Sequence, residues 1–189
     1  IDSANRLHEL ALQGECEAAL SDWYADSQSQ IPSSDERVYL LRRHAELLHL
    51  RLRRGQDAIE VYEELSHIVP DDMDVINALE KLTLSEKDWS AFDRTLTRKF
   101  EMSVKTGTLS EQKVIGMKLA RLLEDILDEP ERAVDVYREL LDVAPDDDDI
   151  FVGLESLLSA EDRWEDILDL RKSRLQRMDS DEGRAQQLT

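Results

Sequence analysis

Proline and glycine are scarce in this chain, four and six among 189 residues. That scarcity excludes the turn-rich pattern of an all-β sandwich or barrel. Cysteine occurs once, at Cys16, so no disulfide can staple the chain to itself. A lone thiol fits a reducing, cytoplasmic compartment, and a periplasmic protein of this kind would have the same composition. No apolar run approaches the ~18–20 residues of a membrane span, and no secretory leader is visible. Cations are outnumbered, with 24 Lys and Arg against 43 Asp and Glu and a net charge of −19. Nucleic acid and anionic membrane both select basic surfaces, so neither is expected as a partner.

What the chain does have is a pattern written twice. The stretch Asp57–Trp89 returns as Arg132–Trp164, and Tyr62/Tyr137, Pro70/Pro145, Leu79/Leu154 and Trp89/Trp164 are all 75 residues apart (137 − 62 = 75). The shared residues are mainly small, aromatic, leucine or boundary residues, so what repeats is a packing recipe. Fixed self-similarity of this kind marks a stacked repeat protein.

Each copy reads as four helices. The first helices span 36–54 and 111–129, preceded by Ser33 and Thr108 at capping-box spacing from Glu36 and Glu111. Gly55 and Pro130 then break the pattern. The second helices, 56–69 and 131–144, carry Ala58, Val61, Tyr62 and Leu65, answered by Ala133, Val136, Tyr137 and Leu140. That i, i+3, i+4, i+7 spacing gives one buried face. Pro70 and Pro145 close these helices. Third helices at 71–85 and 146–159 open on aspartates and point Val75, Ile76, Leu79 and Leu82, or Ile150, Phe151, Leu154 and Leu157, inward. Ala78 answers Gly153, which predicts a close helix crossing. Ser85 with Asp88, and Ser159 with Asp162, have spacing suited to capping the fourth helices. Those carry Trp89, Phe92, Leu96 and Phe100, or Trp164, Ile167, Leu168 and Leu175, as core residues.

The copies occupy 35–105 and 109–178, with connectors at 103–110 and 179–186. Residues 1–30 match the second half of a unit, Leu7, Leu10, Leu12 and Leu20 falling over Leu79, Leu82, Leu84 and Phe92. Residues 181–189 match the start of a further one. The chain is therefore expected to be a slice of a longer array.

A shorter period lies inside the long one: Ala45 to Ala78 and Ala58 to Ala91 are each 33 apart (78 − 45 = 33). With Tyr62, Leu65 and Pro70, and with Ala120, Ala133, Tyr137, Leu140 and Pro145 in the second copy, the first hairpin of each unit resembles the tetratricopeptide repeat. There are departures. One extra residue separates the small positions of the two helices, alanine stands for the usual first-helix glycine, and the second hairpins keep little of the motif. The resemblance implies an all-α, right-handed α-α superhelix of stacked helical hairpins. Alternating diverged hairpins suggest a fragment of a large bacterial multi-repeat protein.

Residues with chemistry to offer are not grouped for it. His44 and His49 are five apart, His8 and His67 lack companions, and no HExxH is present. The run Asp146–Asp149 lacks the alternating ligands and glycine of an EF-hand. Phosphate-binding and nucleophile-elbow motifs are absent. Accordingly no catalytic, cofactor or metal residue is assigned, no cofactor is expected, and the chain is read as non-enzymatic. Trp89 and Trp164 repeat in register and are read as core.

One helix departs from the acidic rule. Arg37, Arg42, Arg43, Arg51, Arg53 and Arg54 fall within 36–54 against Glu36 and Glu46. In tetratricopeptide arrays the first helix of each hairpin lines a concave groove. The resemblance therefore places Tyr39, Arg42, Glu46 and His49 there, with Val114, Met117, Arg121 and Glu124 in the next unit. Arg42 and Arg43 suit an acidic partner segment, since the guanidinium fork holds both oxygens of a carboxylate. The other reading pairs them with the acidic helices beside them. Glu46 stands where the carboxylate-clamp subset of the family wants asparagine, so that specificity is not implied. Function is read as a protein-interaction scaffold, with a structural spacer or an oligomerising module, self-associating through exposed repeat ends, as the alternative.

Overall fold

The structure, a computed structural model, describes residues 6, 8, 9, 11, 13, 16–28 and 34–187, with side chains through 178. Ser33, Leu7, Leu10 and Leu12 lie outside the described residues. Every element among those described is helical: α1 (Glu17–Gln28), α2 (Ser34–Leu50), α3 (Gly55–Ile68), α4 (Met73–Glu86), α5 (Trp89–Thr106), α6 (Leu109–Asp125), α7 (Pro130–Val143), α8 (Asp148–Ala160) and α9 (Trp164–Gln187). The chain divides into two compact units, residues 1–95 and 96–189. The division falls inside α5, because the C-terminal half of that helix packs on α6. Phe100 lies against Gly116 there, and the Gln112 side-chain amide donates to the Ser103 carbonyl at 2.9 Å.

In the first unit α1 packs on α2, α2 on α3, and α3 on α4. The core runs through Leu41, Ala45, Leu48, Ala58, Tyr62, Leu65, Val75, Leu79 and Leu82, with Ala91 from the start of α5. A second cluster joins α1 to α2 through Leu20, Tyr24, Leu40 and Leu47. Two buried histidines knit this end: His8 Nδ1 lies 2.8 Å from the Tyr24 hydroxyl, and His44 Nε2 lies 2.9 Å from Ser21 Oγ. Tyr24 stacks on His44. Burial lowers the pKa of both histidines and raises that of Tyr24 to about 12.

In the second unit α6 packs on α7, α7 on α8, and α8 on α9. Ala120, Ala133, Tyr137, Leu140, Ile150, Phe151, Leu154 and Leu157 are buried, in register with the first copy. Ile59 and Val134 are buried as well, whereas the expected Val61 and Val136 are only half-buried. Ala58, Tyr62 and Leu65, like Ala133, Tyr137 and Leu140, keep the expected inward face, and only Val61 and Val136 give way to Ile59 and Val134 at its edge.

Turns explain most boundary differences. The first helices stop at Leu50 and Asp125 instead of running to 54 and 129, because Arg53 and Asp128 adopt left-handed backbone (φ 55° and 56°). The Arg54 and Glu129 amides then donate back to the Leu48 and Leu123 carbonyls at 2.9 and 2.8 Å. Those bonds satisfy acceptors the helix end leaves open. Gly55 and Pro130 begin the next helices, and proline at a first helical position sacrifices no hydrogen bond. Lys87 and Asp162 are also left-handed (φ 57° and 54°). Asp88 donates to Thr83 and Lys87 to Leu84, as Arg163 does to Leu158 and Asp162 to Ser159. This is a Schellman closure built without glycine.

Thr108 and Glu111 form the expected reciprocal capping box. The cap of α5 is Asp88 alone, accepting from the Ala91 amide at 3.0 Å. Ser85 instead donates to the Leu82 carbonyl, so the expected Ser85–Asp88 box does not form. The fourth helices differ most. Phe92, Leu96 and Phe100 are buried in α5, but in α9 only Ile167 is; Trp164, Leu168 and Leu175 are 57%, 57% and 59% exposed. Trp164 is therefore not core. Helix α9 also continues through 179–186, where a connector was expected.

Candidate functional site

Asp72 and Asp147 stand 75 residues apart and cap α4 and α8, accepting from the amides two and three residues on. Each also takes a cation from the first helix of its own unit, but from different places. In the first unit the donor is Arg42, 2.6 Å from Asp72 Oδ2. In the second it is Lys113, whose Nζ lies 2.8 Å from Asp147 and 2.7 Å from Asp149. Lys113 is in register with Val38, one helical turn before Arg42, and Met117 is in register with Arg42. Hydrogen bonding by Lys113 holds the Asp147 carboxyl below the usual range and raises the Lys113 pKa.

At the position of Arg42 the second unit thus has Met117, on the face between α6 and α8. A groove of about 850 Å³ lies there, with Val114, Met117, Val152 and Gly153 on its surface and Tyr137 at its base. Val114 and Val152 are 66% and 60% exposed. Its depth comes from Gly153, where a Cβ would come within 2.8 Å of the Tyr137 ring. Tyr137 is 2% exposed, and its hydroxyl has no hydrogen-bond partner among the described residues. Arg121 lines the same groove, exposed and without an ion-pair partner among the described residues. Glu124 and Asp125 sit beside it, and burial together with Asp125 raises the Glu124 pKa. The groove is a short apolar strip of Val114, Met117, Val152 and Gly153 bordered by charge, with Lys113, Lys118 and Arg121 against Glu124, Asp125, Asp148 and Asp149.

Of the residues singled out in the sequence, Val114, Met117, Arg121 and Glu124 are thus brought together. The first-unit set is not gathered in the same way. Arg42 is engaged with Asp72 on α4. Arg43 donates to the Tyr39 hydroxyl at 3.3 Å, lies 5.9 Å from the Tyr39 ring centroid and pairs with Glu46 at 3.6 Å. Arg43 and Glu46 line a shallow cleft beside His8. His49 is half-buried and lies outside that cleft. Arg37 pairs with Glu64 at 2.5 Å and Arg54 with Asp57 at 2.5 Å. Much of the arginine-rich helix is therefore held by neighbouring acids.

Sequence reasoning missed Lys113, Tyr137 and Val152 as groove residues. Gly153, aligned with Ala78, was the one signal available, since a small residue permits the close approach that makes the channel. Among the described residues, no three His, Cys, Asp or Glu side chains are placed to hold a metal ion. No helix there is long and apolar enough to cross a membrane.

A tetratricopeptide-repeat family model matches residues 117–151, which run from the middle of α6 into α8 and include much of the groove lining. No curated protein sequence matches the chain. Among solved structures, the crystal structure of MamA is similar over 92% of this chain and 95% of its own, at 12% identity and a TM-score of 0.44. The structure described as MamA MSR-1 C2 is similar over 82% of this chain and 95% of its own, at 14% identity and a TM-score of 0.43. Both scores lie below 0.5, and the functional reading rests on the chain's own residues. The chain is an all-helical protein of stacked hairpins that carries a tetratricopeptide-type repeat in its second unit.

Proposed function

We propose that the chain is a non-catalytic protein-binding scaffold and that the α6–α8 groove holds an extended or helical segment of a partner. The observation that carries this reading is the juxtaposition of solvent-exposed Val114 and Val152 with Met117 and the available Arg121 in one channel. Apolar surface left open in a concave site favours burial of a partner's apolar side chains. Arg121 supplies a planar fork for a carboxylate beside them. The partner segment is therefore apolar with an acidic residue. A secondary contact through the first-unit residues Tyr39, Arg42, Arg43, Glu46 and His49 would require an acidic partner to displace Asp72 from Arg42.

A random peptide library displayed against the immobilised 189-residue chain tests this directly. The reading expects enrichment of sequences with an acidic residue next to large apolar ones, and loss of their binding to Met117→Glu and Arg121→Glu variants. Failure to enrich any sequence, or binding by both variants equal to that of the parent chain, would overturn it. The alternative, an oligomerising module, is favoured by one separate feature, the exposed apolar face of α9.

A further inference from the structure

The floor of the α6–α8 groove holds a polar atom that the fold does not use. Tyr137 lines the groove at 2% exposure, and its hydroxyl has no hydrogen-bond partner among the described residues. A buried hydroxyl is ordinarily paired, because stripping it of water without a replacement bond is costly. Other buried hydroxyls of this chain follow that rule. Tyr24 meets His8, Ser21 meets His44, and Thr83, Thr95 and Ser103 each donate to a carbonyl of their own helix.

The hydroxyl end of the Tyr137 ring lies between the two walls of the groove. On the α8 side, a Cβ at Gly153 would come within 3.0 Å of its oxygen. On the α6 side, the charges of Glu124, Arg121 and Asp125 all act on it. Burial, followed by Glu124, raises its pKa, so the group keeps its proton at neutral pH and is a donor.

The surroundings select the acceptor. Glu124 and Asp125 against Arg121 make the floor unfavourable for an anion, and Arg121 is exposed, where it can take a carboxylate at the rim. A neutral acceptor suits the floor. A segment laid along Val114, Met117, Val152 and Gly153 loses water from its main-chain carbonyls, and none of those side chains offers a donor in return. Glycine at 153 also removes the side chain that would hold an incoming backbone away. Ser156, another hydroxyl lining the groove, is exposed, where water competes for it.

We infer that the Tyr137 hydroxyl donates a hydrogen bond to a main-chain carbonyl of the bound segment, fixing its depth in the groove while Arg121 holds its acidic side chain. This rests on the groove reading above and adds to it a residue that reads backbone instead of sequence.

The probe is the most enriched peptide of the displayed library, titrated by isothermal calorimetry against the 189-residue parent chain and Tyr137→Phe. Phenylalanine keeps the ring and removes only the donor. Binding should weaken about 10-fold, the worth of a buried hydrogen bond whose acceptor is left unpaired, with the denaturation midpoint unchanged. Tyr62→Phe, the equivalent change in the first unit, should leave affinity at the parent level. A second peptide carries the amide in place of the acidic residue. The loss caused by Tyr137→Phe should be the same for both peptides, whereas the loss caused by Arg121→Gln should largely vanish with the amide.

Parent-level affinity in Tyr137→Phe, with binding lost in Met117→Glu, would overturn this inference and leave the groove reading standing. Parent-level affinity in Met117→Glu and Arg121→Glu, or a library that enriches nothing, removes the groove reading and this inference with it. A Tyr137→Phe loss that disappears with the amide peptide would assign the hydroxyl to the side chain. A loss matched by a lower midpoint, or shared by Tyr62→Phe, would assign it to packing. Each of these results overturns the inference.

Discussion

Gly153 of α8 and Tyr137 of α7 touch so closely that a Cβ on the glycine would lie 2.8 Å from Cε1 and 3.0 Å from the hydroxyl of the tyrosine. The contact both seals the core of the second unit and sets the depth of the groove above it. Gly153→Ala gains helix propensity, yet forces a buried ring to move. Overpacking of this kind costs about 1–3 kcal/mol, more than the ~1 kcal/mol the alanine returns. A lower denaturation midpoint with an unchanged m-value is the expected outcome, and a higher midpoint would show that the ring has room to yield.

Tyr137 and its counterpart Tyr62 are 2% and 7% exposed. Truncation to alanine leaves a cavity the surrounding helices cannot fill, and should cost about 3–5 kcal/mol at either position. Tyr137→Phe should be nearly neutral, because the hydroxyl has no hydrogen-bond partner among the described residues. A loss below about 1 kcal/mol for the alanine variants in urea melts would remove these tyrosines from the core.

Left-handed backbone at Lys87 and Asp162 burdens each copy with a conformation that a side chain resists by about 1–2 kcal/mol. Lys87→Gly and Asp162→Gly should therefore stabilise the fold, by about 1 kcal/mol for the lysine and less for the aspartate, whose short side chain tolerates this region better. Thermal melts read the difference, and destabilisation by both glycines would contradict the assignment of these turns.

His44 is pushed below its ordinary pKa by burial and by the Arg54 charge, with Asp22 opposing, and His8 is lowered by burial and Arg43. A base whose pKa is lower folded than unfolded binds more protons in the unfolded state. Stability is then full above the unfolded value of about 6.5 and declines as pH falls from there through the folded values. A His8→Gln, His44→Gln double variant should flatten the decline between neutral pH and about pH 5. The separate loss below about pH 4, from Asp88 and Asp147, should remain. An identical slope in parent and variant would contradict this.

Much of the helical arrangement was legible in the sequence because it depends on residues that recur in register. Ala58 and Ala133, Tyr62 and Tyr137, and Leu79 and Leu154 fill equivalent buried positions. Turn geometry was less legible, since arginine, lysine and aspartate hold left-handed positions at which sequence reasoning looks for glycine. Trp164 and Leu168 were misread for a different reason. Their counterparts at the 75-residue offset are Trp89 and Asp93 of α5, both only half-buried, whereas Ile167 answers the buried Phe92 and is itself buried. The groove was half legible. Met117, Arg121 and Glu124 follow from one face of α6, but the opposing wall and the diversion of Arg42 to Asp72 depend on where α4 and α8 begin, which spacing leaves open by a turn.

The most direct measurement is a binding titration, by isothermal calorimetry, of the highest-ranked displayed peptide against the parent chain, Met117→Glu, Arg121→Glu and Arg42→Glu. If the α6–α8 channel is the principal docking site, the two second-unit substitutions weaken binding by at least about 30-fold and Arg42→Glu changes it only slightly. Equal affinity across the four proteins, or loss confined to Arg42→Glu, would contradict that placement.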